Sequence, residues 1–277
     1  MRRTPILLAL SLSGLLLIFL PWAAAALRPA QEDPVFQLTL GLGSSSCRDR
    51  WQALERFLRS PGDRLKPLRQ SLSTVSQPMR ARLVPVVRLL EEDARAKPKV
   101  QSWEREFTQI AEIQDGARQA SELEDMHQRL LGIIHNPKEA FGARLDAATF
   151  MAVLVTEFAP PLMATWGQDF PRLLRGDDPR VRTVGALLYA RGMLFSSQAP
   201  EKGAVIPALI AGLMGESFEE RLRSQRALFF LSSVSAEQAC VDPTDPRAQR
   251  AEGVRQCQAW WAANKGMLAR EKVTQHY

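Results

Sequence analysis

Apolar side chains recur every three or four residues along most of the chain, the pattern of helices that bury one face. Trp51, Leu54, Phe57 and Leu58 share one such face, Leu65, Leu68, Leu72 and Val75 a second, and Met79, Leu83, Val86, Val87 and Leu90 a third. Pro61-Gly62 and Gln77-Pro78 separate these segments. Pro85 falls inside the third and predicts a kink or a break, because proline removes a helical hydrogen bond and its ring meets the preceding turn. Val100, Trp103, Phe107 and Ile110, then Leu123, Met126, Leu130 and Ile133, alternate three- and four-residue steps and predict a helical hairpin. Asp115-Gly116 marks a turn before its second helix, and Ser121 with Glu124 makes a capping box for that helix. Residues 137–158 are apolar around much of the circumference, which predicts a central buried helix stopped by Pro160-Pro161. No β-rich region follows, so the expected fold class is all-α, with hairpins or a bundle over 47–160 and further helices beyond.

The first 46 residues break this rhythm. Arg2 and Arg3, the apolar run Ile6–Leu20 and the small residues after Pro21 have the order of a secretory signal over residues 1–26. The run is shorter than the roughly 20 residues a spanning helix needs, so export with cleavage is expected. The alternative is an uncleaved inner-membrane anchor extended by Trp22 and Ala23 to Ala26. Pro29, Pro34, Gly41, Gly43 and three consecutive serines predict a linker over 27–46, with one short extended piece at 35–40.

Export changes the reading of the three cysteines, since an oxidising compartment permits disulfides. Cys240 and Cys257 flank a polar, proline-bearing stretch and form the expected pair, closing a loop worth roughly 3 kcal/mol in the chain-entropy account. The competing reading is two buried thiols, and Cys47 is left over under either.

The net charge of +6 is unevenly spread. Residues 48–99 carry 13 basic and 6 acidic side chains, whereas residues 100–277 carry 20 and 22. The excess makes Arg48, Arg50, Arg56, Arg59, Arg64, Lys66 and Arg69 candidates for contact with anionic lipid head groups or acidic glycans. Nucleic acid would suit the charge as well, but export argues against it.

Catalytic chemistry is sparse. His127, His135 and His276 lie in no zinc-binding pattern, and His127 and His135 read as surface residues. No GxSxG elbow, SxxK pair or phosphate-binding glycine loop occurs. Carboxylates cluster at Glu91-Glu92-Asp93, Glu122-Glu124-Asp125 and Glu216-Glu219-Glu220, and each cluster reads as solvated charge near a helix end. No catalytic, metal or cofactor-binding residue is expected.

Residues 169–192, DFPRLLRGDDPRVRTVGALLYARG, resemble a HEAT repeat of the short bacterial type. Leu173 and Leu174 would end its first helix, Asp177, Asp178 and Pro179 make the turn, and Val181, Ala186, Leu187 and Ala190 face the core. The resemblance implies that the turn aspartate and Arg182 interact between stacked repeats. Independently of the name, Asp178 can cap a helix that Pro179 opens. A second unit is expected over 204–234, where Leu222-Arg223 takes the place of Val181-Arg182 and Glu216, Ser217 and Phe218 that of the Asp-Pro turn. A degenerate third unit over 130–154 has Asn136-Pro137 and Arg144 in the same order. Residues 246–268, including QAWWAANKGML, are similar to the segment that closes such arrays, so Trp260 and Trp261 are expected to cap the last hydrophobic face. Residues 269–277 are expected to form a tail.

The resemblance implies a short HEAT-like α-solenoid over 161–268 and, with the signal, an exported, non-catalytic scaffold that binds a protein or peptide and needs no cofactor. The envelope, periplasm or exterior would be its place of work. A binder of anionic envelope lipid or glycan is the alternative, and a lyase, as among HEAT-like bilin lyases, is a fold-level analogy only.

Overall fold

The computed structural model describes residues 33–60, 63–158, 166–191, 200–232 and 241–273. The expectation of an all-α fold is met: no strand occurs among these residues, and the one β feature is an isolated bridge between Glu201 and Lys272. In chain order the helices are α1 (Pro34–Leu42), α2 (Cys47–Arg59), α3 (Leu65–Ser71), α4 (Gln77–Ala111), α5 (Gly116–His135) and α6 (Phe141–Phe158). A single 3-10 turn, Trp166–Gln168, leads to α7 (Asp169–Arg175), α8 (Pro179–Ala190), α9 (Lys202–Gly212), α10 (Phe218–Ser232) and α11 (Arg247–Leu268).

Helix α1 overturns the expected linker and its extended piece. Asp33 caps it by accepting from the Val35 N–H at 2.9 Å, and Pro34 opens it. Val35, Leu38 and Leu42, at helical spacing, are buried. Glycine at position 41 read as a breaker, yet here it lets α1 lie directly on α2, because a Cβ there would collide with the Ala53 methyl. Burial of the apolar stripe outweighs the intrinsic cost of glycine, about 1 kcal/mol.

Helix α4 overturns the break at Pro85. It runs unbroken through Pro85 and Pro98, roughly 50 Å at 1.5 Å per residue, and absorbs the segment expected as the first half of a separate hairpin. Leu83, Val86, Val87 and Leu89 are buried on both sides of Pro85, so packing offsets a proline cost of about 3 kcal/mol. The capping box is also replaced: α5 starts six residues earlier, at Gly116, with Asp115 as its cap accepting from the Ala117 and Arg118 N–H groups. Ser121 therefore lies inside the helix. Helix α6 begins at Phe141 rather than Pro137.

Two cores hold the chain together. The larger extends from Trp103 in the second half of α4 to Val273, and the smaller joins α1, α2, α3 and the first half of α4 to Phe218 and Leu222 of α10. They meet within α4 and α10, not near residue 160. In the larger core α6, α8 and α10 all contact one another. Helix α5 packs on α6, α7 on α8, α9 on α8 and α10, and α11 on α9. Gly185 permits the tight α7–α8 contact, since a Cβ there would stand 2.8 Å from the Leu174 nitrogen. Helix α4 crosses from α3 to α6 and also touches α10. Trp260 and Trp261 pack partly buried on the larger core. Residues 269–273 are not a free tail, because Lys202 donates to the Glu271 carbonyl at 2.8 Å and Val273 donates to the Pro200 carbonyl at 3.1 Å.

An arginine stands at the fourth position of α2, α4, α6, α8, α10 and α11: Arg50, Arg80, Arg144, Arg182, Arg221 and Arg250. Three of them make the same contact. Arg50 Nη1 donates to the Ser44 and Ser45 carbonyls, Arg182 Nη1 to Gly176 and Asp177, and Arg221 Nη1 to Gly215 and Glu216. Each guanidinium thus closes the turn in front of its own helix, supplying donors to carbonyls that the helix cannot reach. The aspartate–arginine contact runs between successive helix pairs, as expected of the turn aspartate. Asp178 is bound at 2.9 Å by the fully buried Arg144, which holds in the preceding pair the position that Arg182 holds in its own, while Arg182 itself closes its own turn. In the next unit the closing residue is Arg221 rather than Arg223, which instead pairs with Glu219 at 2.6 Å.

Candidate functional site

The expected disulfide does not form as drawn. Cys257 is a free, buried thiol pushed up to about 11 by its burial, Cys47 is disulfide-bonded, and Cys240 lies outside the described residues. The signal segment, residues 1–26, also lies outside them, and no helix among the described residues is long and apolar enough to cross a membrane.

The basic residues of 48–69 do not converge on one free face. Arg50 is buried. Its Nε lies 2.5 Å from Asp242 Oδ2 and its Nη2 3.1 Å from Asp245 Oδ2. Arg82 reaches the same two carboxylates at 3.1 and 2.9 Å. Arg64 caps the Phe57 and Leu58 carbonyls, Arg69 pairs with Glu91 at 2.6 Å, and Arg59 pairs with Glu55 at 3.3 Å. Arg56 bonds the Gln52 carbonyl of its own helix, and Arg48, Arg56 and Lys66 are exposed.

The loop at 241–246, read in sequence as a polar spacer, is a buried polar node. Asp242 Oδ1 accepts from the Thr244 N–H and hydroxyl at 2.8 and 2.6 Å, which makes the loop turn on itself. Arg221 Nε donates to the Pro243 carbonyl at 3.0 Å and Arg250 Nη1 to the Asp245 carbonyl at 2.5 Å. Helices α2, α4, α10 and α11 thus meet through arginines at one loop. Burial, then the neighbouring Asp242, raises the Asp245 carboxyl, against the pull of Arg50 and Arg82. Burial beside the cationic Arg250 lowers Arg221 to about 10.

A different acidic assembly lines the space beside α4. One cleft of about 340 Å³ is walled by Pro85, Leu89, Phe141 and Phe218 and carries Glu92, Glu139, Glu216 and Glu219 together with Arg88, Arg180 and Arg221. A second, of about 250 Å³, shares Glu92, Ala140 and Glu219 with it and adds Asp93, Asp146, Arg95 and Lys99. Two carboxylate clusters that read as separate solvated charges, 91–93 and 216–220, are brought together here with Asp146 of α6. Glu219 is at their centre. It is only 3% exposed and is paired with Arg223, and its carboxylate rests where a Cβ on Gly142 would be.

Crowding shows in the carboxyl groups. Burial, then repulsion from Glu219, pushes Asp146 up to about 6 and raises Asp93 and Glu92 as well. Glu220, buried behind the cleft, is pushed up to about 7 by burial, against the hydrogen bond from Thr183. Asp146 and Glu220 therefore keep protons closer to neutrality than ordinary carboxyls do, and a cationic neighbour would favour the charged form of each crowded group. No group of three or more His, Cys, Asp or Glu residues able to hold a metal ion occurs among the described residues.

His127 is buried rather than on the surface. Its Nε2 lies 2.9 Å from Asp169 Oδ2 and its ring stacks on Trp166, with centroids 4.6 Å apart and planes 8° from parallel. The pair joins α5 to α7. Helical spacing alone could have hinted at this, because His127 follows Met126 and precedes Leu130 on a partly apolar face.

No protein-family model, no curated protein and no solved structure matches the chain, so its own geometry carries the functional reading.

Proposed function

We propose that the chain is an exported, non-catalytic scaffold of stacked helical hairpins that binds a basic segment of a protein or peptide in the cleft beside α4. The observation that carries this reading is the convergence of Glu92, Asp93, Asp146 and Glu219 on the two adjoining spaces between α4, α6 and α10. Lysine or arginine entering there would relieve the repulsion that raises these carboxyls, so binding gains where the empty cleft is penalised. The walls of Pro85, Leu89 and Phe141 would contact the aliphatic stems.

The repeat resemblance is supported by the packing of successive helices α5 to α10 in pairs and by the shared arginine contact at Arg50, Arg182 and Arg221. The same contact at Arg50 argues that α1 and α2 form a further unit of this kind. A disulfide at Cys47 suits an oxidising compartment and so supports export.

A photo-cross-linking amino acid at position 92 tests the binding site, with position 105, exposed at the far end of α4, as the control. Intact host envelope should give a discrete protein adduct from position 92, lost in Glu219→Gln/Asp146→Asn. An adduct equally strong from both positions, or one indifferent to those substitutions, would refute the cleft as the site.

The anionic-surface reading keeps one specific support: Arg48, Arg56 and Arg59 are exposed on α2 next to α1.

A further inference from the structure

We infer that the outer face of α1 docks on an anionic lipid surface, the one to which the apolar segment Ile6–Leu20 leads; this deepens the anionic-surface reading and rests on it. Helix α1 is apolar on two sides. Val35, Leu38 and Leu42 are buried, while Phe36 and Leu40, one turn apart on the other side, are 50% and 64% exposed. Residues 34–42 contain no charged side chain. Exposing two large apolar groups at adjacent turns holds hydrocarbon in water, and that area is free to be buried elsewhere.

Three observations choose lipid as the occupant. Under the uncleaved-anchor alternative, Leu20 and Asp33 are 13 positions apart, a reach of at most roughly 45 Å, so insertion of Ile6–Leu20 would hold α1 close to the bilayer at high local concentration. The neighbouring helix adds cations: Arg48, Arg56 and Arg59 are exposed on α2, with Glu55 shared between Arg59 at 3.3 Å and Arg226 at 2.6 Å. Asp49, the remaining acid of α2, is bonded by the Ser44 hydroxyl at 3.0 Å. An exposed apolar pair on one helix, packed on a second helix that carries exposed arginines, has the makeup of an element that sits between hydrocarbon and anionic head groups. A second copy of the chain fits less well, because two side chains fall far short of the roughly 800 Å² per partner that a stable interface buries.

The test uses the full chain reconstituted in vesicles, with an environment-sensitive dye on Leu40→Cys and, separately, on Met267→Cys. Met267 is 69% exposed on α11 and serves as the control. Both sites are exposed, so neither substitution disturbs a core, and labelling of unsubstituted protein sets the background from its own thiols. Dye at position 40 should be quenched several-fold more strongly by lipid-borne quencher than dye at 267, and more strongly with phosphatidylglycerol present than with phosphatidylcholine alone. Equal quenching at the two positions overturns the docking. Strong quenching at 40 that is indifferent to phosphatidylglycerol overturns the anionic surface while leaving an apolar contact. Shielding of position 40 from aqueous quencher without lipid quenching assigns the face to protein and also overturns the proposal. Intact mass of the vesicle-bound chain reads separately whether residues 1–26 remain attached.

Discussion

Two acidic regions of this molecule, one with two carboxylates and one with four, behave in opposite ways. At the 241–246 loop, Asp242 and Asp245 are matched by Arg50 and Arg82, with Arg221 and Arg250 bonding the backbone around them. In the cleft beside α4, Glu92, Asp93 and Asp146 face Glu219, whose own partner is Arg223, and their carboxyls are pushed up. Buried charge that is paired fixes helices relative to one another. Charge that is crowded costs stability and is only partly offset by the arginines and lysine that line the same spaces.

That contrast can be broken most sharply at its paired end. Asp242→Ala should destabilise by about 3–5 kcal/mol, since it strands two arginines in a largely buried loop. Urea denaturation would measure it, and a loss under 1 kcal/mol would show that the node is not a structural tie. Reducing the bridge at Cys47 should remove about 2–4 kcal/mol, whereas Cys257→Ala, which truncates only a small buried side chain, should cost no more than about 1.5 kcal/mol. Thermal scans with and without reductant separate the two cysteines.

The cleft predicts a pH dependence of definite sign. Asp146 and Glu220 have folded-state values raised to about 6 and about 7, so the native state binds more protons than the unfolded chain between the ordinary carboxyl range and those values. Their contribution to stability is therefore complete in acid and declines as pH rises from about 4 to about 7. Asp146→Asn should flatten the lower part of that decline and Glu220→Gln the upper part, read by chemical denaturation at several pH values. A slope that neither substitution changes would remove the crowding argument. The smallest effect belongs to Glu92→Gln, which should alter stability by under about 1 kcal/mol, and upward, because it relieves repulsion at a half-buried site.

Much of the helical framework was legible in particular residues. Met126 and Leu130 of α5, Leu222 and Leu228 of α10, and the Asp178-Pro179 start of α8 stand where their spacing and chemistry place them. Prolines and glycines were read less well. Pro85 and Pro98 passed inside α4, and Gly41 served as a contact point, because packing on the smaller core outweighs local backbone preference. The candidate cleft was legible only as fragments. Residues 91–93, 146 and 218–220 each sit on a different helix, and nothing local announces that three helix surfaces will meet there.

The sequence by itself determined an all-helical chain, because apolar periodicity is a local property that each segment carries alone. It also carried the repeated arginine near helix starts, legible once the starts are known. Only the tertiary structure decided which charges are paired and which are crowded. Arg50 meets Asp242 across 192 positions, and Glu219 reaches the carboxylates of α4 and α6 only when α10 packs beside them. Electrostatic environment depends on burial and distance in space, neither of which is written in the order of residues.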